Sequence, residues 1–208
     1  MHPSHRQQMI DFIKSIDTEL FLFFNGLHTP WLDGIMIFIS GKKEWIPLYL
    51  LFVFLIIKQL RWRSIWVFLG IGLTILLSDQ LASGIMKPYF ERLRPSRNPN
   101  IEGIVHLVNG YKGGMYGFAS SHAANAFGLA TFLWLTFRSQ YKWFVWIFLW
   151  AAIVAYSRIY LGVHYPGDIL VGALIGIVFG YLSFRLQRYV GEQWESRKGG
   201  NSSPIEID

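Results

Sequence analysis

Residues 65–95 read IWVFLGIGLTILLSDQLASGIMKPYFERLRP, an apolar block followed directly by a basic one. Asp79 is the only charged residue between positions 65 and 86. A helix needs about 20 mostly apolar residues to cross the hydrocarbon core of a bilayer. The basic block then places Lys87, Arg92 and Arg94 close together. This stretch therefore predicts a membrane-spanning helix that ends in a cluster of cations.

Four more apolar blocks extend this interpretation along the chain, at residues 45–57, 118–137, 143–156 and 169–184. The 208-residue chain is 52% hydrophobic and only 15% charged, which is more apolar than an ordinary soluble domain. It contains no cysteine, which excludes disulfides and thiolate metal sites. We predict an all-α membrane protein.

The segment before these blocks has a different pattern. Apolar side chains recur every three or four positions from Ile10 to Leu27, as in an amphipathic helix. Residues 31–40 are apolar but too few to cross a membrane alone. We interpret the two together as an interfacial amphipathic helix that leads into a first, irregular span. The sequence thus predicts a six-span helical bundle.

The expected organisation has three parts. Residues 1–28 form a cytoplasmic or interfacial segment that leads into span one. Residues 29–190 form the six-helix transmembrane domain. Residues 191–208 form a disordered cytoplasmic tail, which includes a low-complexity stretch at 199–203.

Basic residues favour one orientation of this bundle, because cytoplasmic loops are rich in Lys and Arg. Both chain ends and the turns near residues 58–63 and 138–142 fall on one side, which carries more Lys and Arg than the other. We predict a multi-pass protein of the cell (inner) membrane with both termini in the cytoplasm. The net charge of +6 comes from residues scattered at the ends of apolar blocks, so we do not expect nucleic-acid binding.

Three polar clusters then fall on the outer face, towards the periplasm or exterior. They are Lys87 with Arg94, Ser120-Ser121-His122, and Ser157-Arg158 with His164 and Asp168. Lysine and arginine bind phosphate oxygens, arginine through two parallel hydrogen bonds. Ser120 and Ser121 open an apolar helical run, and the unpaired amides of a helix N-terminus attract anions. The clusters together predict a phosphate-binding site.

His164 and Asp168 lie four residues apart, with Pro166 between them at a position suited to the first turn of a helix. The Asp168 carboxylate can reach one imidazole nitrogen and leave the other free as a nucleophile. A metal site built from His122, His164 and Asp168 is a competing interpretation. We favour a metal-free mechanism, because three nearby cations would repel a divalent ion.

These clusters resemble the motifs of the type 2 phosphatidic acid phosphatases, membrane lipid phosphatases that share an active-site plan with vanadium haloperoxidases. The first motif, Lys, six residues and Arg-Pro, is matched from Lys87 to Pro95. The third is matched by Ser157-Arg158, His164 and Asp168. The second, Pro-Ser-Gly-His, appears as Ala119-Ser120-Ser121-His122. The departures at Ala119 and Ser121 relax the turn and place a side chain beside the phosphate.

The resemblance implies a role for each residue. His164 attacks phosphorus to form a phosphohistidine, Asp168 orients His164, and His122 protonates the leaving oxygen. The phosphate is held by Lys87, Arg94, Ser120, Arg158 and the amide of Ser121. The implied phosphatase needs no metal and no cofactor.

The leading hypothesis is a membrane lipid phosphatase that hydrolyses a phosphomonoester or diphosphate of a lipid at the outer face. The family's bacterial substrates include undecaprenyl diphosphate, phosphatidylglycerol phosphate, phosphatidic acid and lipid A phosphates, and the sequence does not choose among them. Further cations at Arg92, Arg97 and Lys112 suit a diphosphate or a crowded anionic head group. A lipid phosphotransferase, and an anionic-lipid transporter that uses the same cationic site, are the alternatives. Retention of both histidines and the aspartate argues against an inactive relative.

Overall fold

The computed structural model describes residues 4–197, which form helices joined by short turns and one longer loop. The α-helices are α1 (His5–Gly26), α2 (Pro30–Ser40), α3 (Ile46–Leu60), α4 (Ser64–Asp79), α5 (Lys87–Phe90), α6 (Ser121–Phe137), α7 (Ile147–Tyr160) and α8 (Pro166–Arg197). A π-helix, Gln80–Met86, joins α4 to α5, and 3₁₀ turns occur at Arg61–Arg63, Pro95–Arg97, Val108–Gly110 and Lys142–Trp146. Across positions 4–197 the only strand-like pairing is a single bridge between Leu93 and Tyr116. The predicted all-α class is confirmed.

Within residues 4–197, three helical stretches are long and apolar enough to cross a membrane, Ile46–Phe90, Lys142–Tyr160 and Pro166–Arg197. The first of these turns at Arg61, whose positive φ of 51° ends α3 and lets α4 start in a new direction. Helix α6 adds 17 further residues, most of them buried among the other helices. The helices coincide with the predicted apolar blocks, and the number of membrane crossings stays a prediction.

Helices α6 and α8 pack closely at the centre of the bundle because small residues line their contact. Gly172, Gly176 and Gly180 recur every four residues on α8 and face α6. A Cβ atom on Gly180 would lie 2.6 Å from the carbonyl oxygen of Gly128. Small residues at this spacing let helix backbones approach in a membrane, where lipid gives little hydrophobic drive for association. The contact sets the N-terminal ends of α6 and α8 side by side.

The largest apolar cluster lies towards the opposite ends of these helices. It is formed by buried side chains from α3, α4, α6, α7, α8 and the 3₁₀ turn before α7, among them Ile56, Val67, Phe132, Leu133, Phe137 and Phe144. Apolar packing therefore stabilises one end of the bundle, and the polar clusters occupy the other.

The predicted amphipathic helix is present as α1. It begins after Ser4, whose Oγ accepts a hydrogen bond from the Gln7 amide at 3.3 Å and caps the helix. One side of α1 exposes a stripe of large apolar side chains: Met9, Phe12, Ile13, Ile16, Leu20 and Phe23. The opposite side, which includes Phe21 and Asn25, is buried against the bundle.

Helix α1 packs against the end of the bundle that carries the polar clusters. Asp17 accepts a hydrogen bond from the Gly167 amide at 2.7 Å, and the Asn25 amide group donates to the carbonyl oxygen of Tyr160 at 2.8 Å. Both partners are backbone groups at helix ends, where polar side chains can satisfy them. Residues 17–25 and the clusters therefore lie at the same end of the bundle. The cytoplasmic or interfacial location of this segment stays a prediction.

Helix α8 continues beyond the predicted start of the tail at residue 191. Arg188 pairs with Glu192 one turn later at 3.2 Å, and Arg63 pairs with Glu195 at 2.6 Å. The ring of Trp194 also packs on that of Trp66. These contacts extend the helix through Arg197, which corrects the tail boundary. The rest of the predicted tail, with its low-complexity stretch, lies outside the described residues.

Candidate active site

Arg94 is buried in the loop after α5, with only 8% of its surface exposed. Its backbone N–H and its Nε donate to the carbonyl oxygens of Met115 and Tyr116, both at 3.1 Å. Its Nη1 donates to the carbonyl oxygen of Val163 at 3.1 Å. These bonds hold the guanidinium so that Nη1 lies 3.2 Å from Nε2 of His164.

His164 and Asp168 form a buried pair at the start of α8. Pro166 opens the helix, which places Asp168 in the first turn with Oδ2 at 3.3 Å from Nδ1 of His164. The same oxygen accepts the Tyr165 N–H at 3.0 Å. A carboxylate beside Nδ1 favours the tautomer with its proton there, an assignment made from the hydrogen-bond partners. The lone pair of Nε2 therefore faces Arg94.

The surroundings keep this imidazole neutral. Burial lowers the pKa of His164 well below its ordinary value, and the charges of Arg94, Arg158 and Lys87 lower it further. Both causes disfavour a second positive charge on the ring. A neutral imidazole with one nitrogen oriented by a carboxylate is a competent nucleophile.

Ser120 is the N-cap of α6. Its Oγ accepts a hydrogen bond from the Ala123 amide at 3.4 Å. Its own backbone N–H donates to the carbonyl oxygen of Asp168 at 3.0 Å. Ser121 and His122 therefore occupy the first turn of α6, next to the His164 and Asp168 pair.

Lys87 follows directly after the π-helix Gln80–Met86. A π-helical turn is wider than an α-helical one and changes the direction of the side chains that follow it. Here the Lys87 ammonium donates to Ser83 Oγ at 2.8 Å and to Ser121 Oγ at 3.3 Å. The first cluster thereby contacts the second.

Arg158 is buried at the end of α7, with 4% of its surface exposed. Its Nη1 donates to Ser40 Oγ and its Nη2 to the Tyr111 hydroxyl, the latter at 3.3 Å. Its Nε is buried and donates to no atom of the described residues. An unpaired buried donor of this kind costs free energy unless an acceptor meets it. Arg158 thus keeps one N–H available for an anion.

The structure brings the three predicted clusters together at one end of the bundle, and the individual roles of their residues stay predictions. The three further cations behave differently from one another. Arg92 contacts the Asp168 carboxylate at 2.9 Å. Arg97 is exposed, and Lys112 lies 4.0 Å from Glu102. Only Arg92 of these three is thus shown to contact a candidate catalytic residue.

Sequence reasoning did not connect four residues to this site: Asp17, Ser40, Tyr111 and Gly117. Asp17, Ser40 and Tyr111 contact site residues from elements that lack any motif. Gly117 carries a weak local signal, since loop glycines often mark close approaches. A Cβ atom there would lie 2.9 Å from Oδ2 of Asp168. A larger residue would therefore press on the pair of His164 and Asp168.

A cavity of about 450 Å³ opens beside His122. Polar side chains line one end and apolar ones the rest, among them Lys42, Asp79, His122, Asn125, Ile56 and Leu133. Ser121 and Leu133, which both line it, are about 18 Å apart along α6 at the usual helical rise. The cavity therefore joins a polar end beside His122 to a long apolar slot.

Residues 66–192, most of the chain and all three clusters, match the sequence model of the PAP2 superfamily. The chain belongs to the PAP2 superfamily. As a member of this superfamily it is a membrane-embedded hydrolase of phosphate esters. Its homologues act on lipid phosphates, which identifies it as a lipid phosphatase. The resemblance drawn from the three motifs is thereby confirmed.

Two similar PAP2 relatives are lipid A 4'-phosphatases. The protein from Bacteroides thetaiotaomicron is 44% identical over 85% of this chain and 79% of its own length. The protein from Porphyromonas gingivalis is 37% identical over 89% of this chain and 78% of its own length. An undecaprenyl-diphosphatase from Sulfolobus acidocaldarius is 31% identical over 82% of this chain and 78% of its own length.

Two crystal structures show the same fold. Aquifex aeolicus LpxE superposes with a TM-score of 0.61 at 30% identity, over 81% of this chain and 94% of that one. A transmembrane PAP2-type phosphatidylglycerolphosphate phosphatase from Bacillus subtilis also gives a TM-score of 0.61, at 23% identity over 87% of each chain. The second likeness concerns the fold alone.

Proposed function

We propose that this PAP2 protein hydrolyses a phosphate monoester of lipid A at the outer face of the membrane. The reaction proceeds through a phosphohistidine formed on His164. The observation that carries the proposal is the buried His164, with Nδ1 beside Asp168 and Nε2 beside Arg94. The similarity to two lipid A 4'-phosphatases supports the choice of substrate.

In the first step the lone pair of His164 Nε2 forms a bond to phosphorus, and the bond from phosphorus to the lipid oxygen breaks. His122 gives a proton to that leaving oxygen. In the second step water loses a proton to His122 and attacks phosphorus, the N–P bond breaks, and inorganic phosphate leaves. Charge that builds on the phosphoryl oxygens is stabilised by the nearby cations Lys87, Arg94 and Arg158.

The cavity beside His122 supports a lipid substrate. A phosphate held beside His122, at the polar end, would leave the slot between α3, α4, α6 and α7 for hydrocarbon, since most of its lining is apolar. Asn125 lines the same cavity, and its Oδ1 is buried without a hydrogen-bond partner among residues 4–197. That oxygen suits a donor on the head group. Lipid A, an acylated disaccharide, offers hydroxyl and amide donors there, whereas a polyprenyl chain offers none.

The substrate is tested by phosphate release from four lipids in detergent: lipid A, undecaprenyl diphosphate, phosphatidylglycerol phosphate and phosphatidic acid. We expect the largest kcat/KM on lipid A, activity that persists in EDTA, and inhibition by vanadate. Asn125→Leu should lower kcat/KM on lipid A more than on undecaprenyl diphosphate. A preference for another lipid would refute the substrate choice, and release from none of them would refute the function.

The covalent step is tested with a lipid that carries labelled phosphate. Rapid denaturation during turnover should trap label on the wild-type protein in a form stable to base and labile to acid, as expected for a phosphohistidine. No label should be trapped on His164→Asn. Label that ends on a second lipid instead of in inorganic phosphate would identify a phosphotransferase.

The outward orientation rests on the distribution of Lys and Arg. Because the sequence has no cysteine, single cysteines report position without background. Lys112→Cys, at the end that carries the site, should react with a membrane-impermeant maleimide in intact spheroplasts. Gln140→Cys, in the turn after α6, should react only after permeabilisation. The reverse pattern would place the site in the cytoplasm.

A further inference from the structure

Arg92 lies outside the residues matched to the three motifs, yet it contacts the side chain that orients His164. Its Nη1 donates to Oδ1 of Asp168 at 2.9 Å, and its Nη2 donates to Oδ2 of Asp17 at 2.7 Å. Its guanidinium also lies 4.0 Å from the centre of the Tyr165 ring, a cation–π contact. Arg92 is therefore fixed from three sides.

Asp17 supports this arrangement from helix α1. Its Oδ1 accepts the Gly167 N–H at 2.7 Å, in the first turn of α8, while its Oδ2 pairs with Arg92. A Cβ atom at residue 167 would lie 2.8 Å from Oδ2 of Asp17, so the glycine permits the approach. The Asp17 carboxylate thus contacts both α8, the helix that carries Asp168, and Arg92, the cation that pairs with Asp168.

Asp168 needs such a partner because its side chain is fully buried. Its Oδ2 is used by Tyr165 and His164, and its Oδ1 by Arg92. Across positions 4–197, Arg92 is the one Lys or Arg side chain within ion-pair distance of this carboxylate. A buried carboxylate without a cation or hydrogen bonds is strongly destabilised.

We infer that Asp17 and Arg92 are positioning residues. They keep the Asp168 carboxylate ionised and oriented so that it aligns His164 for attack. The inference rests on the proposed function of His164 as the nucleophile. It assigns the N-terminal helix a part in catalysis, through a line of contacts that runs from Asp17 to Arg92, Asp168 and His164. Neither Asp17 nor Arg92 touches the reacting atoms.

The test compares Arg92→Gln, Arg92→Lys and Asp17→Asn with two matched controls. Arg138→Gln removes an exposed arginine at the opposite end of the bundle, and Asp11→Asn removes an exposed aspartate of the same helix as Asp17. Steady-state kcat and KM are measured on the lipid phosphate that the wild type hydrolyses best. Thermal unfolding in detergent is recorded for every variant.

We expect Arg92→Gln and Asp17→Asn to lower kcat by about 10- to 100-fold, the range for small misplacements of a catalytic group, with KM nearly unchanged. Arg92→Lys should recover part of the loss because it restores a cation near Oδ1. Both controls should match the wild type. Unchanged kcat in Arg92→Gln and Asp17→Asn would overturn the inference. So would a loss that Arg92→Lys does not reduce and that parallels a fall in Tm.

Vanadate binding, measured by calorimetry, separates this inference from the proposed function. Binding of vanadate depends on an aligned His164 and needs no lipid, so Arg92→Gln should weaken it by about tenfold or more, within the range for misplaced groups. A wild type that binds vanadate but releases no phosphate from any lipid would refute the proposed function alone. Equal vanadate affinity in wild type and Arg92→Gln would refute the positioning role.

Discussion

The backbone N–H of Ser120 donates to the backbone carbonyl oxygen of Asp168 at 3.0 Å. This bond joins the cap of α6 to the first turn of α8. It fixes His122, two residues after Ser120, relative to His164, four residues before Asp168. The proposed acid and the proposed nucleophile are thus set by one backbone contact, which the close packing of α6 on α8 supports.

Replacing the nucleophile should abolish turnover. His164→Gln keeps a polar side chain of similar size but removes the attacking nitrogen, so we expect kcat to fall by about 10³-fold or more, as for other nucleophile knockouts. Phosphate release in detergent measures it. His28→Gln is the matched control, because His28 is exposed and stacks on His106 away from the site. Activity of His164→Gln near that of His28→Gln would rule out the mechanism.

His164 should stay neutral in mild acid. An ordinary histidine is half protonated at about pH 6.5. Burial and the neighbouring cations lower the pKa of His164 well below that value, so the neutral form is lost only when the pH falls below the lowered pKa. The ring-nitrogen chemical shifts of His164, assigned by comparison with His164→Gln, should therefore be those of a neutral imidazole at both about pH 7.5 and about pH 5.5. A change of these shifts with a midpoint near pH 6.5 would show that His164 titrates normally.

The helices and the catalytic cluster could be predicted because their signals are local. An apolar block long enough to cross a membrane forms a helix whatever its position in the chain. The four-residue spacing from His164 to Asp168 already brings their side chains close together. The first and third motifs are intact, and a glycine stripe on α8 lets this helix pack on α6, which carries the second motif. Composition and spacing thus carried the fold class and the meeting of the three clusters.

The support from α1 could not be predicted in the same way. Asp17 lies on an amphipathic helix with Asp11, Lys14 and Glu19, which are exposed. Nothing in the sequence distinguishes the one carboxylate of α1 that contacts Arg92, because that contact depends on how α1 packs across the start of α8. The same holds for Ser40 and Tyr111, which reach Arg158 from separate elements.

Removing the Tyr111 hydroxyl should weaken substrate binding moderately. Tyr111→Phe loses the hydrogen bond from Arg158 but keeps the ring, whose centre lies 5.7 Å from the guanidinium. A lost hydrogen bond is worth about 0.5–1.5 kcal/mol, so KM should rise by about three- to tenfold. Tyr89→Phe is the control, since Tyr89 is 79% exposed. Equal KM values in the two variants would show that Tyr111 does not hold Arg158 for phosphate.

Filling the apolar cavity should separate lipid substrates from small ones. Leu129 lines the slot, so Leu129→Trp should occupy the space expected for hydrocarbon. We expect KM for the lipid to rise by about tenfold, which corresponds to about 1.4 kcal/mol of binding. KM for p-nitrophenyl phosphate should not change. Leu174→Trp, on the exposed face of α8, is the control and should alter neither value. Equal effects on both substrates would mean that the chain does not bind there.

The contact between α6 and α8 should limit both stability and activity. A Cβ atom on Gly176 would overlap the carbonyl oxygen of Ala124, whereas one on Gly72 of α4 meets no atom within 4 Å. Gly176→Ala should therefore destabilise the protein by about 1–3 kcal/mol and lower Tm by several degrees. Gly72→Ala should be neutral or slightly stabilising, because alanine favours helix. Since the same contact sets His122 against His164, Gly176→Ala should also lose kcat at temperatures where it remains folded. A Tm for Gly176→Ala equal to that of Gly72→Ala would show that α6 and α8 can move apart at little cost in stability. The hydrogen bond from Ser120 to Asp168 would then have to align His122 and His164 alone.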